Sequence, residues 1–215
     1  MVPASRRRLS SVQARLILAL LTAAAQLPAQ NYFPAGVLGE NAESHQFSAD
    51  WYSKHLKALG EPSLWELSQQ DPTAAVYRFL WLRTFHSPIA VRMVLAPDGS
   101  AQLHSRMTNG QGGYEPGRLI RDEVVALKAV AAQSFMAALE SAGFWGLPSI
   151  QFPRLSINGE VTVMLDGALW IIEGVRNGKY HVVDRQSPDK GEAVHAIGLL
   201  ALKLGRFKIP ARDVY

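Results

Sequence analysis

The sequence predicts an α+β fold: a single antiparallel meander sheet of about six or seven strands, two longer helices on one face and a short N-terminal helical pair. Apolar residues recur at every second position in several stretches that are separated by turn residues. Two later segments have the 3.6-residue spacing of amphipathic helices. Strands and helices do not alternate strictly, which argues against a parallel doubly wound sheet. Residues 48–215 are expected to form one domain.

The short helical pair is predicted from its capping residues. Ser48 is a favourable N-cap for a helix over residues 49–59. Ser63 and Glu66 have the spacing of a capping box, which begins a second short helix. Residues 30–47 lack periodicity and are expected to form an extended leader.

The remaining elements follow from periodicity and from glycine or proline at their ends. Helices are predicted over residues 127–142 and 191–204, followed by Gly143 and Gly205. Alternating residues predict strands at 76–85, 89–96, 101–107, 118–125, 159–165, 168–175 and 179–185.

The last two strands are joined at residues 177–178, an Asn-Gly pair that is typical of two-residue hairpin turns. If this pair forms the whole turn, Trp170 faces Arg185 across the strands. If a type I turn with a bulge forms instead, the register slips by one residue and Glu173 faces His181. The sequence leaves both registers open.

Residues 1–29 have the layout of a secretory signal peptide: a basic start, an apolar run over 16–25 and small residues near cleavage positions at 25 or 29. The apolar run is about half the ~20 residues that a bilayer span requires, so the mature chain is expected to lack a membrane span. This segment carries four arginines and no acid, so its removal cancels the net charge of +4. A nucleic-acid partner is therefore not expected. The protein is predicted to be periplasmic or secreted.

Several kinds of chemistry have no support in the sequence. The chain has no cysteine, which excludes disulfides, thiolate catalysis and cysteine metal sites. Its six histidines show neither H-x-H nor H-E-x-x-H spacing, so no metal site and no cofactor are predicted. The segment NGQGGYEPG at 109–117 fits neither dinucleotide-binding nor P-loop spacing. This segment is expected to be a flexible connection between strands. The alternative is that it forms a mobile rim over a ligand-binding groove.

The candidate site is the densest group of polar and aromatic residues, around the 177–178 hairpin. A ligand-binding surface is predicted at Trp170, Glu173, His181 and Arg185, with Arg83 and Tyr114 as neighbours. The competing interpretation is an ordinary half-buried hairpin whose charged residues pair across the strands. Candidate partners are an envelope protein or a saccharide, on which an exposed Trp81 or Trp170 would stack.

An enzymatic alternative is a periplasmic hydrolase. It would use Glu173 as general acid/base, with His181 or Asp166 as the partner group. It requires a concave pocket with Glu173 at the floor and a raised carboxyl pKa. No nucleophile motif accompanies these residues, so a non-catalytic binding or structural module is favoured.

The series YRFLWLRTFHSP, GGYEPG, FWGLP, DGALWIIEG and YHVVDRQSP resembles an uncharacterised family of exported bacterial proteins. The resemblance covers most of the chain after residue 48. It implies a bacterial envelope or secreted protein and implies no activity.

Overall fold

The computed structural model describes residues 31–151 and 167–215. The predicted signal peptide, the predicted strand at 159–165 and the candidate residue Asp166 lie outside the described residues. Within the described ranges, no helix combines the length and hydropathy needed to cross a membrane.

The described residues form one open antiparallel sheet of six strands in the order β4-β3-β2-β1-β5-β6. The first four strands form a meander that runs from the middle of the sheet to one edge, and β5 returns to the other side of β1. The α+β prediction is therefore confirmed. The strands are β1 (Ala75–Arg83), β2 (Ile89–Leu95), β3 (Ala101–Thr108), β4 (Leu119–Leu127), β5 (Ala168–Arg176) and β6 (Lys179–Gln186).

Four helices cover the two faces of the sheet: α1 (Ala42–Ala58), α2 (Leu64–Gln70), α3 (Ala129–Ser141) and α4 (Ala193–Leu204). Helices α3 and α4 share one buried cluster with the odd-numbered residues of β1, such as Phe79 and Trp81. Helix α1 packs on the opposite face, where Leu56 contacts a cluster that includes Leu80 and Ile171. Both faces are covered, so alternating side chains of the central strands are buried in both directions.

Helix α1 is the longest helix among the described residues, and it begins earlier than predicted. The Asn41 side chain accepts from the Ser44 backbone N–H at 2.9 Å, and the Asn41 N–H donates to the Ser44 hydroxyl at 3.2 Å. This reciprocal cap uses serine where a capping box usually has Glu or Gln, so the sequence pattern did not reveal it. Residues 42–47 are thus helical, and Ser48 lies inside the helix. Tyr32 and Phe33, also expected in an extended leader, are buried with 2% exposure each.

The β5–β6 hairpin has the register of a two-residue turn. Trp170 pairs with Arg185, and Glu173 pairs with Val182. Asn177 and Gly178 have φ values of 54° and 69°, which are the left-handed values of a type I′ turn. The alternative register, with Glu173 opposite His181, is wrong.

Replacing Gly178 with alanine should destabilise the protein by about 1 kcal/mol, because a Cβ is disfavoured at this positive φ. The added Cβ would come no closer than 3.8 Å to its nearest neighbour, so packing would not contribute. Chemical unfolding measures the change. The matched control is Gly191→Ala, where no atom lies within 4 Å of an added Cβ. An equal loss in both variants would contradict the turn assignment.

Candidate functional site

The six side chains predicted to form a ligand surface do not share one surface. The strand register directs Trp170, His181 and Arg185 toward the α3–α4 face, whereas Glu173 points to the α1 face. Trp170 and Glu173 are both fully buried. Tyr114 lies in the loop between β3 and β4 and is 52% exposed.

Trp170 belongs to the core of the α3–α4 face. Its ring centroid lies 5.1 Å from the His195 ring, nearly parallel to it, and 5.2 Å from the Trp81 ring. Its Nε1 donates to the Tyr215 backbone carbonyl at 2.9 Å. Trp81 is also fully buried, so neither tryptophan is placed to stack on a sugar.

Arg83 and Arg185 anchor backbone segments. The Arg83 guanidinium lies 4.1 Å from the centre of the Trp81 ring and donates to the Asp213 carbonyl at 3.2 Å. Arg185 donates to the Pro148 carbonyl at 2.9 Å. These contacts account for both arginines structurally.

Glu173 belongs to a buried ion-pair network beneath α1 and α2. Its Oε2 accepts from the Arg78 Nε at 2.8 Å and from the Arg78 Nη2 at 2.5 Å. Its Oε1 accepts from the Tyr180 hydroxyl at 2.9 Å. The side chains of Glu173 and Arg78 are fully buried.

The network continues through Glu61, in the link between α1 and α2. The Glu61 carboxylate is fully buried and lies 3.4 Å from Arg78, 2.8 Å from Arg92 and 3.3 Å from Arg106. Arg78 Nη1 also donates to the Pro62 carbonyl at 2.6 Å. The network therefore fastens the α1–α2 link to strands β1, β2 and β3.

This environment gives Glu173 a structural role and does not expose it to a substrate. Burial raises the pKa of Glu173, while the Arg78 guanidinium and the hydrogen bonds from Arg78 and Tyr180 work in the opposite direction. Burial lowers the pKa of Arg78, but the carboxylates of Glu173 and Glu61 outweigh it, so the net shift is upward and the guanidinium stays charged. A hydrolase would require a raised pKa of Glu173, but here burial in the protein core accounts for it. Both carboxylate oxygens already accept hydrogen bonds, from Arg78 and Tyr180.

Replacing Glu173 with glutamine should lower the free energy of unfolding by about 3 kcal/mol, because the buried Arg78 loses its closest counter-charge. Urea unfolding measures this loss. Glu115→Gln is the matched control: Glu115 pairs with Lys54 but its side chain is 87% exposed, and such pairs contribute about 0–1 kcal/mol. An unchanged stability of the Glu173 variant would contradict the structural role.

A second carboxyl on the α1 face, that of Asp184, is held by α1 itself. The Tyr52 hydroxyl donates to its Oδ2 at 2.6 Å. Burial raises the pKa of Asp184 to about 6, against the Tyr52 hydrogen bond and the nearby Arg185 charge, which both lower it. Asp184 therefore binds its proton more tightly in the folded protein than in the unfolded chain.

The raised pKa predicts that Asp184 stabilises the fold most at low pH. Its contribution is complete below the unfolded pKa, near 3.8, and is lost as the pH rises through about 6. Between these pH values the unfolding free energy of the unsubstituted protein should fall by about 2 kcal/mol relative to Asp184→Asn. Unfolding curves at several pH values measure this difference. Asp189→Asn, at an exposed position, is the control, and parallel pH profiles for all three proteins would contradict the shift.

The most distinctive concave feature is a groove where α1 meets the strand ends and the β3–β4 loop, which we term the aromatic groove. Its volume is about 360 Å³. It is lined by Phe47, Ser48, Trp51, Tyr52, Leu82, Thr84, Gly112, Gly113, Gly167, Ala168, Leu169 and Gln186. None of these residues carries a formal charge.

Two aromatic residues one helical turn apart form the α1 side of the aromatic groove. The rings of Phe47 and Trp51 are nearly parallel, with 6.3 Å between centroids, and Phe47 is 71% exposed. The Lys54 ammonium lies 3.9 Å from the Trp51 ring centre and 3.3 Å from Glu115, which ties α1 to the β3–β4 loop. Burial lowers the pKa of the neighbouring His55 to about 4, so this imidazole is neutral at neutral pH.

The opposite side of the groove is the glycine-rich loop, which is held in place rather than free as expected. The Gly112 N–H donates to the carbonyls of Arg83 and His86, both at 3.0 Å, and the Gly113 N–H donates to Thr84 at 3.1 Å. A Cβ on Gly112 would lie 2.6 Å from the Arg83 backbone. Glycine is therefore required here for close backbone approach, and the loop contributes backbone to the groove wall.

A second cavity, of about 530 Å³, lies at the tip of the β5–β6 hairpin. Arg176, Lys179, His181 and Trp145 are among its lining residues. The His181 ring packs 5.0 Å from Phe144, and burial lowers the pKa of its imidazole. His181 thus lines this cavity, and Arg185 lines another one near Pro148, but Glu173 lies beside neither.

Comparison with known proteins gives no assignment: no protein-family model and no curated protein matches the chain. Among the described residues no group of three or more His, Cys, Asp or Glu side chains is arranged to hold a metal ion. The candidate site is therefore identified from its geometry alone. The sequence signal for it was the four-residue spacing of Phe47 and Trp51, which has meaning only once α1 is known to include residue 47.

Proposed function

We propose that this protein is a non-catalytic binding module of the bacterial cell envelope, and that it binds a neutral saccharide in the aromatic groove. The observation that carries the proposal is the exposed Phe47 ring, stacked on Trp51 at the edge of a groove whose described lining residues are all uncharged. Ligand sites commonly combine such apolar walls with a few placed polar groups.

A saccharide is complementary to both the apolar and the polar lining residues of the groove. The C–H face of a pyranose ring is apolar and packs on aromatic rings, while its hydroxyl groups need hydrogen-bond partners. Ser48 and Gln186 bring polar side chains to the groove, and the loop brings backbone at Gly112 and Gly113. The hydroxyl protons of Tyr52 and Thr84 are already donated to Asp184 and to the Gly167 carbonyl, so these two groups can only accept from a ligand. A charged ligand would find no counter-ion among the described lining residues.

Export to the envelope is supported by the amino-acid sequence. Residues 1–29 have a basic start followed by an apolar run and small residues, as secretory signal peptides do. The resemblance to exported bacterial proteins points to the same compartment, and the absence of cysteine favours a bacterial over a eukaryotic exported protein. A hydrolase using Glu173 has no comparable support, because that carboxylate is fully buried and bonded to Arg78 and Tyr180.

Phe47→Ala should weaken saccharide binding about fivefold, since a stacked aromatic contact contributes about 1 kcal/mol. The probes are neutral soluble oligosaccharides of glucose, xylose and N-acetylglucosamine, followed by isothermal titration calorimetry. Trp145→Ala is the matched control, because Trp145 is 38% exposed but lines the hairpin cavity instead of the aromatic groove.

The proposal is contradicted if none of these oligosaccharides binds, or if Phe47→Ala binds as tightly as the unsubstituted protein. A Trp145→Ala variant that loses binding while Phe47→Ala retains it would move the site to the hairpin cavity.

A further inference from the structure

The hairpin cavity differs from the aromatic groove in its charge. Arg176 and Lys179 line it, both residues are exposed, and none of its described lining residues carries a carboxylate. Within the described part of the chain, neither cation forms an ion pair with a carboxylate. The cavity volume of about 530 Å³ lies in the range of roughly 300–1,000 Å³ that is typical of small-molecule sites.

The two cations lie directly opposite each other across the hairpin. Arg176 and Lys179 form the last cross-strand pair before the turn at 177–178. Both side chains point to the α3–α4 face, as do Ile172 and Val183 four positions farther along the two strands. Like charges in directly opposed positions destabilise a strand pair. An anion held between the two groups removes this repulsion, so the pair is better suited to hold an anion than to stabilise the hairpin.

The wall beside the two cations is aromatic and is held in place by packing. A Cβ on Gly174 would lie 2.7 Å from the Phe144 ring, so glycine at this strand position lets Phe144 approach the hairpin closely. The next residue, Trp145, is thereby placed at the cavity. Its ring centroid lies 6.2 Å from that of Tyr77 and 6.1 Å from that of His181, and the residue is 38% exposed.

We propose that the hairpin cavity binds a small organic anion, in which a single carboxylate or phosphate group is attached to an aromatic ring. The anionic group lies between Arg176 and Lys179, whose guanidinium and ammonium groups donate charge-assisted hydrogen bonds to its oxygens. The ring packs against Trp145. No residue lines both the hairpin cavity and the aromatic groove, so this site does not depend on saccharide binding.

The lining favours an organic anion over an inorganic one. A free phosphate ion would contact the two cations, but it would leave the exposed part of Trp145 without a ligand contact and most of the cavity volume unfilled. A ring attached to the anionic group buries apolar surface against the indole, which adds to the binding free energy. Two cations also match one anionic group, whereas a nucleic acid would need a longer basic surface.

The first test measures binding to the full chain by isothermal titration calorimetry. The probes are phenyl phosphate and benzoate, which distinguish the two anionic groups, with phenol and inorganic phosphate as the separate halves. We expect at least one ring anion to bind about tenfold more tightly than either half. Lys179→Gln should weaken that binding about tenfold, because one charged hydrogen bond is lost. Lys208→Gln, at an exposed lysine outside the cavity, is the matched control and should bind normally.

Three outcomes of this titration overturn the proposal. The first is that neither phenyl phosphate nor benzoate binds. The second is that inorganic phosphate binds as tightly as phenyl phosphate and benzoate, which would leave the aromatic wall without a role. The third is an equal loss of affinity in Lys179→Gln and Lys208→Gln, which would reflect only the overall charge of the protein.

The second test uses thermal unfolding and a reversed charge. Lys179→Glu supplies a carboxylate opposite Arg176, so its unfolding midpoint without ligand should rise by about 2 °C. The ring anion that binds should raise the midpoint of the unsubstituted protein and of Lys208→Glu, but not that of Lys179→Glu, because its anionic site is already occupied by the new carboxylate. A Lys179→Glu variant that keeps the full ligand-induced rise, or whose midpoint without ligand falls, overturns the proposed role of the paired cations.

Discussion

The position of α1, and with it the aromatic groove, depends on the buried carboxylate of Glu61. A fully buried carboxylate without partners costs several kcal/mol, so this chain segment is stable only where guanidinium groups surround it. Arg78, Arg92 and Arg106 come from three adjacent strands and meet at that one side chain. The pairing therefore specifies where the α1–α2 link sits on the sheet more narrowly than aliphatic packing would.

The attachment at Glu61 also affects the aromatic groove, because α1 connects the two. Tyr52 binds Asp184 on β6, which gives α1 a second polar attachment besides the Glu61 link. Phe47 and Trp51 lie in the N-terminal half and near the middle of the same helix, so these attachments determine where the aromatic pair faces the strand ends. The glycine-rich loop is fastened independently through Gly112 and Gly113 to the end of β1. Both walls of the groove are thus positioned by rigid elements, as a preformed binding site requires.

The sequence predicted what depends on local chemistry. Alternation predicted the strands, and the Asn-Gly pair predicted a hairpin but left its register open, which the structure shows to be that of a two-residue turn. The sequence did not predict the roles of Glu173 and Trp170, because an alternating pattern does not distinguish a solvent-exposed strand face from a second buried face. Arg78, the partner of Glu173, is 95 positions away and lies in a strand whose other residues are mostly apolar. Long-range pairing of this kind leaves no local pattern, and the Asn41–Ser44 cap that extends α1 to Phe47 departs from the usual capping-box residues.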